Sequence, residues 1–370
     1  MLKHAELTRY RGFEHYKLAN LGPVNLLVGK NNSGKTSLLE GIHFLTAGGD
    51  PLVLAQVTAR RGEFVAVAED EPPYNDFSHF FYQHEIREGS SFNIRSDNGI
   101  PEISVTVMTS DDPDLFGEYF DRDEMLRPTL ALRVERHGTS SEQNPLFLSD
   151  RGAVLAYGKR SGRRFPVPKN RDGPPIVFIS PDSLSPLSLA AMWRQILYDR
   201  QEKEVIAALQ ILEENLEDIV FEPVDNTRHY PPYIGSSERG GVLISLRNDR
   251  RRIPLGSMGD GMRRLLVLAI SLIQAKNGFL LIDEIDTGFH YSIMDKMWEL
   301  VIKTAQGSGT QVFATTHSWD CIVGLSQICE AQKNLLPEVT IQTIDRTLPE
   351  SISFTGDSIT RLVQHEIDPR

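Results

Sequence analysis

The chain has 370 residues and a mass of 41.6 kDa, is 40% hydrophobic, and carries a net charge of -11 with a pI near 5.4. That length suits one large domain or two modest ones with a sizeable core, and the acid surplus argues against indiscriminate nucleic-acid binding while allowing a local basic patch. The two cysteines, Cys321 and Cys329, form no C-x-x-C pair, so a reduced, cytoplasmic setting is expected, and no apolar run reaches the roughly 18 residues of a membrane helix.

Residues 2–28 alternate as strands, with a turn and return near residues 10–13. Gly22-Pro23 then leads into the apolar run Val24-Asn25-Leu26-Leu27-Val28. Next comes Gly29-Lys30-Asn31-Asn32-Ser33-Gly34-Lys35-Thr36, followed by a helical pattern over 37–45. This is G-x-x-x-x-G-K-[ST] in its strand–loop–helix setting. The backbone N–H groups of Asn31, Asn32, Ser33 and Gly34 are expected to wrap phosphate oxygens at a helix N-terminus. Lys35 is expected to reach the β and γ phosphates of ATP, and Thr36 to place a hydroxyl on Mg²⁺. Gly48-Gly49-Asp50-Pro51 breaks the helix, and residues 53–60 suit another.

From residue 63 to 134 the texture changes to short β-branched runs at 78–85, 91–95, 103–107 and 129–134. Glycine turns at 88–89 and 97–99 separate them, which predicts an inserted antiparallel sheet. Asp111-Asp112-Pro113-Asp114 reads as a solvent-facing acidic turn. Residues 158–171 hold Lys159, Arg160, Arg163, Arg164, Lys169 and Arg171. Such a basic loop suits either contact with a DNA backbone or a solvated hairpin. Ile176-Val177-Phe178-Ile179 predicts a core strand. Apolar residues over 188–216 recur at helical spacing, with a break at 199–201. Strands are expected at 242–246 and 253–255, and a helix over 265–275.

Gly278-Phe279-Leu280-Leu281-Ile282-Asp283-Glu284 is an apolar strand ending in two carboxylates. Its continuity suits a buried parallel strand, whose carboxyl end is where α/β ligand sites form. Asp283 is expected to hold Mg²⁺, directly or through water, and Glu284 to act as general base for water aimed at the γ-phosphate. Gln311-Val312-Phe313-Ala314-Thr315-Thr316-His317-Ser318 supplies the next strand, and His317 is expected to sense the γ-phosphate. Ser257-Met258-Gly259-Asp260-Gly261 makes a second anion cradle before a helix. One chain does not need two γ-phosphate cradles. Two copies facing head to tail use both, with Ser257 and Gly259 completing the partner's ATP site.

With these motifs the chain resembles the ABC-type ATPases, in the branch of chromosome-maintenance and recombination ATPases and overcoming-lysogenization-defect nucleases. Within it the chain is similar to small stand-alone ATPases with AAA-15 or AAA-21 domains, on Ile282-Asp283-Glu284-Ile285-Asp286-Thr287-Gly288-Phe289-His290 and Phe313-Ala314-Thr315-Thr316-His317-Ser318. The match covers about 1–60 and 240–320. It implies an α/β P-loop ABC-type ATPase head with an inserted antiparallel β region, a short helical subdomain and no long coiled coil. The expected domains are 1–60 and 240–370 for the ATPase core, 61–182 for the β insert and 183–225 for the helical subdomain. By the resemblance, residues 286–290 cross the dimer interface. His290 is open between a structural role and phosphate contact. Arg263 and Arg264 replace the glutamine that commonly follows the signature. The Mg²⁺-sensing glutamine is unassigned among Gln56, Gln83 and Gln143. Only about 50 residues follow Ser318, so the nuclease domain of the lysogenization-defect group is not expected. The implied function is an ATP-hydrolysing dimeric switch that controls a separate toxin or nuclease effector in anti-phage defence. The alternative is a nucleic-acid-binding repair ATPase anchored by residues 158–171. Intact Glu284 argues against a non-hydrolysing scaffold.

Overall fold

The computed structural model describes residues 1–65, 73–97, 99–109, 129–138, 146–157, 173–181, 186–221 and 241–370. The basic loop at 158–171, the acidic turn at 111–114, Asn98 and Gln143 lie outside the described residues. The chain begins β1 Ala5–Tyr10, β2 Phe13–Leu18, β3 Val24–Val28, α1 Lys35–Thr46 and α2 Pro51–Arg61. The middle holds β4 Phe64–Val65, β5 Tyr74–Asn75, β6 Ser91–Ser96, β7 Ile103–Thr109, β8 Leu130–Arg136, β9 Leu146–Leu148 and β10 Val154–Tyr157. Next come β11 Ile176–Ile179, α3 Pro186–Tyr198, α4 Glu202–Leu209, β12 Leu216–Phe221, β13 Val242–Leu246, β14 Ile253–Pro254 and α5 Asp260–Gln274. The chain closes with β15 Phe279–Ile282, α6 Met294–Ser308, β16 Gln311–Thr315, α7 Trp319–Ala331, β17 Val339–Thr343, β18 Ile352–Thr355 and α8 Asp357–Gln364.

Contacts divide the chain into two compact units, one of residues 1–21, 31–174 and 344–352, the other of 22–30, 175–343 and 353–370. In the first unit a seven-stranded sheet runs β10-β9-β8-β7-β6-β1-β2. The strands after residue 90 extend the β1–β2 hairpin, because β6 pairs antiparallel with β1 in the register Leu7↔Ile94. Helix α1 packs on this sheet at Gly41, where a Cβ would stand 2.5 Å from Leu7 Cδ2. Every residue of α1 from Ser37 to Thr46 is buried. Aromatic rings fill the remaining space: Phe92 meets Tyr10, Phe44 and Phe81 at centroid distances of 5.2, 6.1 and 5.4 Å.

A buried ion network ties this unit together. Arg11, in the β1–β2 turn, reaches Glu40 of α1 at 3.2 Å and grips the Glu63 carboxylate with two N–H groups at 2.8 and 3.1 Å. Arg61 of α2 donates from Nε to Glu40 at 2.7 Å and from Nη2 to Ser37 Oγ at 3.3 Å. Burial pushes the Glu40 carboxyl up, against the pull of Arg11 and Arg61. Burial works against the Arg11 charge, but Tyr10, Glu40 and Glu63 outweigh it and hold the guanidinium above its ordinary range.

The second unit is built on a six-stranded sheet, β11-β15-β16-β3-β17-β18. Strands β11, β15, β16, β3 and β17 pair in parallel. Helices cover such a sheet on both faces, so its strands are mainly apolar, and β3, β15 and β16 are buried at every position. Buried polar residues on these strands are bonded: the Asn25 side chain is fully bonded to Gly22, Val312 and Thr340. Helices α5, α6 and α7 supply the core. Trp298 of α6 is completely buried and donates its indole N–H to the Cys321 carbonyl at 2.9 Å. Both cysteines are free and buried. Among the described residues no helix is long and apolar enough to cross a membrane.

Three sequence expectations are corrected. Residues 78–85 form two 3₁₀ turns in place of a strand, because Gln83 and His84 both take φ of 60°. Their apolar pattern instead plugs Phe80 and Phe81 into the core. The helical stripe ends at Leu209, and Leu216 opens β12 after a turn in which the Glu213 side chain accepts from the Asn215 N–H at 3.2 Å. Helix α5 starts at Asp260 and not at 265, directly after Gly259 with φ of 93°.

Removing Glu40 leaves two arginines facing a buried void. Glu40→Ala is expected to lower the unfolding free energy by about 3–5 kcal/mol, as measured by urea unfolding; a loss below about 1 kcal/mol would show that the network carries little of the stability.

Candidate active site

The chain leaves β3 at Val28 and enters the glycine loop. Gly29 and Lys30 belong to the second unit, and Asn31 to Thr36 to the first. Lys35 and Thr36 are the first two residues of α1, as the motif requires. Gly34 precedes them with φ of 97° and offers no side-chain cap, so no side chain competes with an anion for this helix end. Glycine at this position has a second cause. A Cβ would lie 2.4 Å from the Phe13 ring and 3.1 Å from Arg346 Nε. Ser33 Oγ is buried without a hydrogen-bond partner among the described residues. An orphaned buried hydroxyl inside a phosphate-type loop fits a ligand that brings its own acceptors.

In the second unit the parallel sheet aligns its strand ends. Ile282 of β15 pairs with Ala314 of β16, and Thr315 pairs with Leu27 of β3. Strand β16 therefore stands between the strand that ends in Asp283 and the strand that feeds the glycine loop. Asp283, His317 and Gly29 all follow carboxyl ends on one edge of this sheet. Thr315 organises that edge. Its hydroxyl donates to Asp283 Oδ1 at 2.6 Å and accepts the Glu284 N–H at 2.8 Å. Thr315 is 1% exposed, so no water competes for these bonds. Thr316 Oγ1 donates to the buried Asp286 carboxylate. His317 is exposed, and its carbonyl accepts from Arg370 Nη1 at 2.6 Å. Ser318 caps α7 by accepting the Cys321 N–H.

Ser257 lies in the 3₁₀ turn Leu255–Met258 before α5 and Gly259 follows that turn, both of them exposed. Among the described residues, a Cβ on Gly256 or Gly259 would meet nothing within 4 Å. The φ of 93° calls for glycine at 259, while no close packing among the described residues calls for it at 256. Arg264, in the next turn of α5, is seated against Gly288 and lines a cleft with Ser180, Asp283, Glu284 and Phe289. His290 is exposed, its Nδ1 standing 2.9 Å from Ser292 Oγ at the start of a 3₁₀ turn. Gln56 and Gln83 are both exposed.

Sequence reasoning missed the Thr315, Thr287 and Arg370 contacts. A threonine beside a motif histidine is a weak signal, and a C-terminal arginine is none. Among the described residues no cluster of three His, Cys, Asp or Glu side chains is placed to hold a metal. Thr36 in one unit offers a hydroxyl and Asp283 in the other a carboxylate, each the kind of hard oxygen that Mg²⁺ takes.

Gly34→Ala is expected to weaken binding of a fluorescent ATP analogue by at least about tenfold, since the added methyl meets Phe13 and the left-handed φ disfavours it; unchanged affinity would remove the loop from the nucleotide site.

Residues 194–321 match the family described as "AAA domain, putative AbiEii toxin, Type IV TA system". An "ATP/GTP phosphatase" of Helicobacter pylori (strain ATCC 700392 / 26695) is 20% identical over 340 residues, which is 89% of this chain and 88% of that protein. Among solved structures, the SMC head bound to the C-winged helix domain of ScpA is 13% identical with a TM-score of 0.46, over 97% of this chain and 99% of that one. The SMC head domain from Thermotoga maritima is 15% identical with a TM-score of 0.42, over 96% of this chain and 98% of that one. The family match begins within α3 and ends within α7, and so takes in Ser257, Asp283, Glu284 and His317; the chain is an ATPase of mixed α/β fold.

Proposed function

We propose that this ATPase is an ABC-type dimeric switch, in which ATP joins two copies head to tail and hydrolysis releases them. The observation that carries the reading is the bare loop before α5. Ser257 is exposed, and Gly256 and Gly259 face open space among the described residues. Such a loop at the start of a 15-residue helix suits a phosphate offered by a second copy.

In this mechanism Asn31, Asn32, Ser33 and Gly34 hold the phosphates through backbone N–H groups and the Ser33 hydroxyl. Lys35 neutralises the β and γ phosphates, and Thr36 and Asp283 hold Mg²⁺. Bound there, Mg²⁺ offsets charge on the transferring phosphoryl group. Glu284 takes the proton of the attacking water. His317 donates to the γ-phosphate and loses that partner when phosphate leaves. The partner's Ser257 and Gly259 segment closes the site and withdraws after hydrolysis.

The match to the "putative AbiEii toxin, Type IV TA system" family supports a place in a toxin–antitoxin or abortive-infection module. The ATPase then controls a separate toxin or nuclease in the cytoplasm, and the dimer state is the signal. In a host carrying the whole locus, Lys35→Ala and Glu284→Gln should shift phage plating in opposite directions.

Lys35→Ala is expected to cost about tenfold to a hundredfold in ATP affinity, because a charge-assisted contact is worth roughly 1.5–3 kcal/mol. Glu284→Gln is expected to keep ATP, stop turnover and accumulate as a dimer in light scattering with ATP and Mg²⁺. A monomer at micromolar concentration in every nucleotide state would contradict the switch.

Ser257→Arg should bind a first ATP normally yet fail to hydrolyse it. Once subunit exchange has been demonstrated, mixing it with Lys35→Ala should restore part of the ATPase rate through one intact composite site. Full activity of Ser257→Arg alone would return the loop to an ordinary helix start.

A further inference from the structure

Glu284 sits in an unusual backbone setting. Its φ is 52°, a left-handed conformation that crowds Cβ against the backbone. Bonds to Thr315 fix the backbone there: Glu284 N–H to the hydroxyl at 2.8 Å and Ile285 N–H to the carbonyl at 3.0 Å. The carboxylate is fixed separately, by the Thr287 hydroxyl, which donates to Oε2 at 3.0 Å. The Thr287 N–H closes the same turn on the Glu284 carbonyl at 3.1 Å.

That turn is itself clamped. Asp286 is held by Thr316, and its carbonyl accepts the Phe289 N–H at 3.1 Å. Gly288, at φ of 75°, lies under Arg264. A Cβ there would fall 2.2 Å from Nε and 2.4 Å from Cζ, so the guanidinium seats only on a glycine. Arg264 stands on α5, five positions beyond Gly259. One helix thus carries the bare loop at its start and presses, one turn later, on the segment that orients Glu284 of its own chain.

We propose that Thr287 is a positioning residue for ATP hydrolysis: its hydroxyl sets the Glu284 carboxylate, and Arg264, seated on Gly288, ties that setting to helix α5. The inference rests on Glu284 as general base. Whatever engages the Ser257 to Gly259 loop then acts through α5 on the base of the same chain. ATP closure at one composite site tunes the carboxylate of the other. The hydrogen bond from Thr287 also keeps Glu284 from swinging toward solvent, where it would not meet the attacking water.

The test compares Thr287→Val, which removes the donor and keeps the shape, with Thr287→Ser, which keeps the donor. Arg264→Lys and Glu284→Gln are measured alongside. For each, kcat and KM are read with ATP, and Kd for a fluorescent ATP analogue is read by anisotropy. Thr287→Val is expected to lower kcat at least about tenfold with KM and Kd within about twofold, since only the setting of the base is lost. Thr287→Ser is expected to stay within about threefold of the parent, and Arg264→Lys to show the same split as Thr287→Val at smaller amplitude, because an ammonium cannot replace a planar guanidinium on Gly288. Parental kcat in Thr287→Val, with Glu284→Gln inactive, would overturn the proposal and leave the base in place. A Kd weakened as much as kcat falls, or a Thr287→Ser variant as slow as Thr287→Val, would also overturn it. Continued hydrolysis by Glu284→Gln would instead remove the base on which the proposal rests. If Thr287→Val does not fold, Thr287→Ser against Arg264→Lys still decides: equal parental kcat in both overturns the coupling.

Discussion

One buried hydroxyl sets the geometry of the carboxylate edge. Thr315 Oγ1 donates to Asp283 and accepts from the Glu284 N–H, so the two adjacent acids that follow β15 are fixed by one residue on β16. This works only in the observed register. A slip of one residue between β15 and β16 would turn Thr315 to the opposite face and leave a buried hydroxyl and a buried carboxylate oxygen without partners. The same register links β16 to β3 through the Thr316 N–H and the Leu27 carbonyl at 3.1 Å. The sheet thereby delivers Gly29, Asp283 and His317 to one edge.

The first unit solves a different problem. Helix α1 begins in the phosphate loop and is almost wholly buried, yet it carries Glu40 into the interior. Arg11 and Arg61 meet that charge from the β1–β2 turn and from α2. Buried pairs of this kind add little net stability over an apolar core, but breaking one is costly. The network therefore acts mainly on register: it fixes the rotation of α1, and with it the direction in which Lys35 and Thr36 leave the helix start. Gly34 is constrained by Phe13, which opens β2 just after the turn that holds Arg11.

The elements that local chemistry dictates were legible in the sequence. A continuous apolar run followed by Asp283-Glu284, or Val24–Val28 followed by glycine and lysine, has few other solutions, and the parallel sheet appeared as expected. The failures share a cause. At residues 78–85 the aromatic spacing matched a strand, but Phe77, Phe80 and Phe81 are spaced for tertiary packing and their backbone turns. Leu216 continued a helical stripe only by coincidence with strand β12. The start of α5 was placed late because Gly259 and Gly261 lower helix propensity, whereas the structure uses the first as the stop before the helix and the second inside it. Long-range partners such as Arg11 with Glu63, Thr315 with Asp283 and Arg264 with Gly288 leave no local trace. The acids and the phosphate loop could be named from sequence, but the groups that hold them could not.

The sheet fixes the acids and the α1 helix fixes the phosphate loop, while Ser257 and Gly259 stay exposed on either side of Met258, which packs on the core. In the proposed switch, ATP binding and subunit association are one event. The direct measurement uses Asn31→Cys on one subunit and Ser257→Cys on another, since both positions are exposed. The native thiols do not compete: both are buried, and burial pushes Cys321 up and Cys329 up to about 11. Mixed under mild oxidation, the two variants should form an interchain disulfide with ATP and Mg²⁺ and not without nucleotide. Demonstrated ATP binding with no interchain disulfide, or the same yield in the absence of ATP, would contradict the composite site.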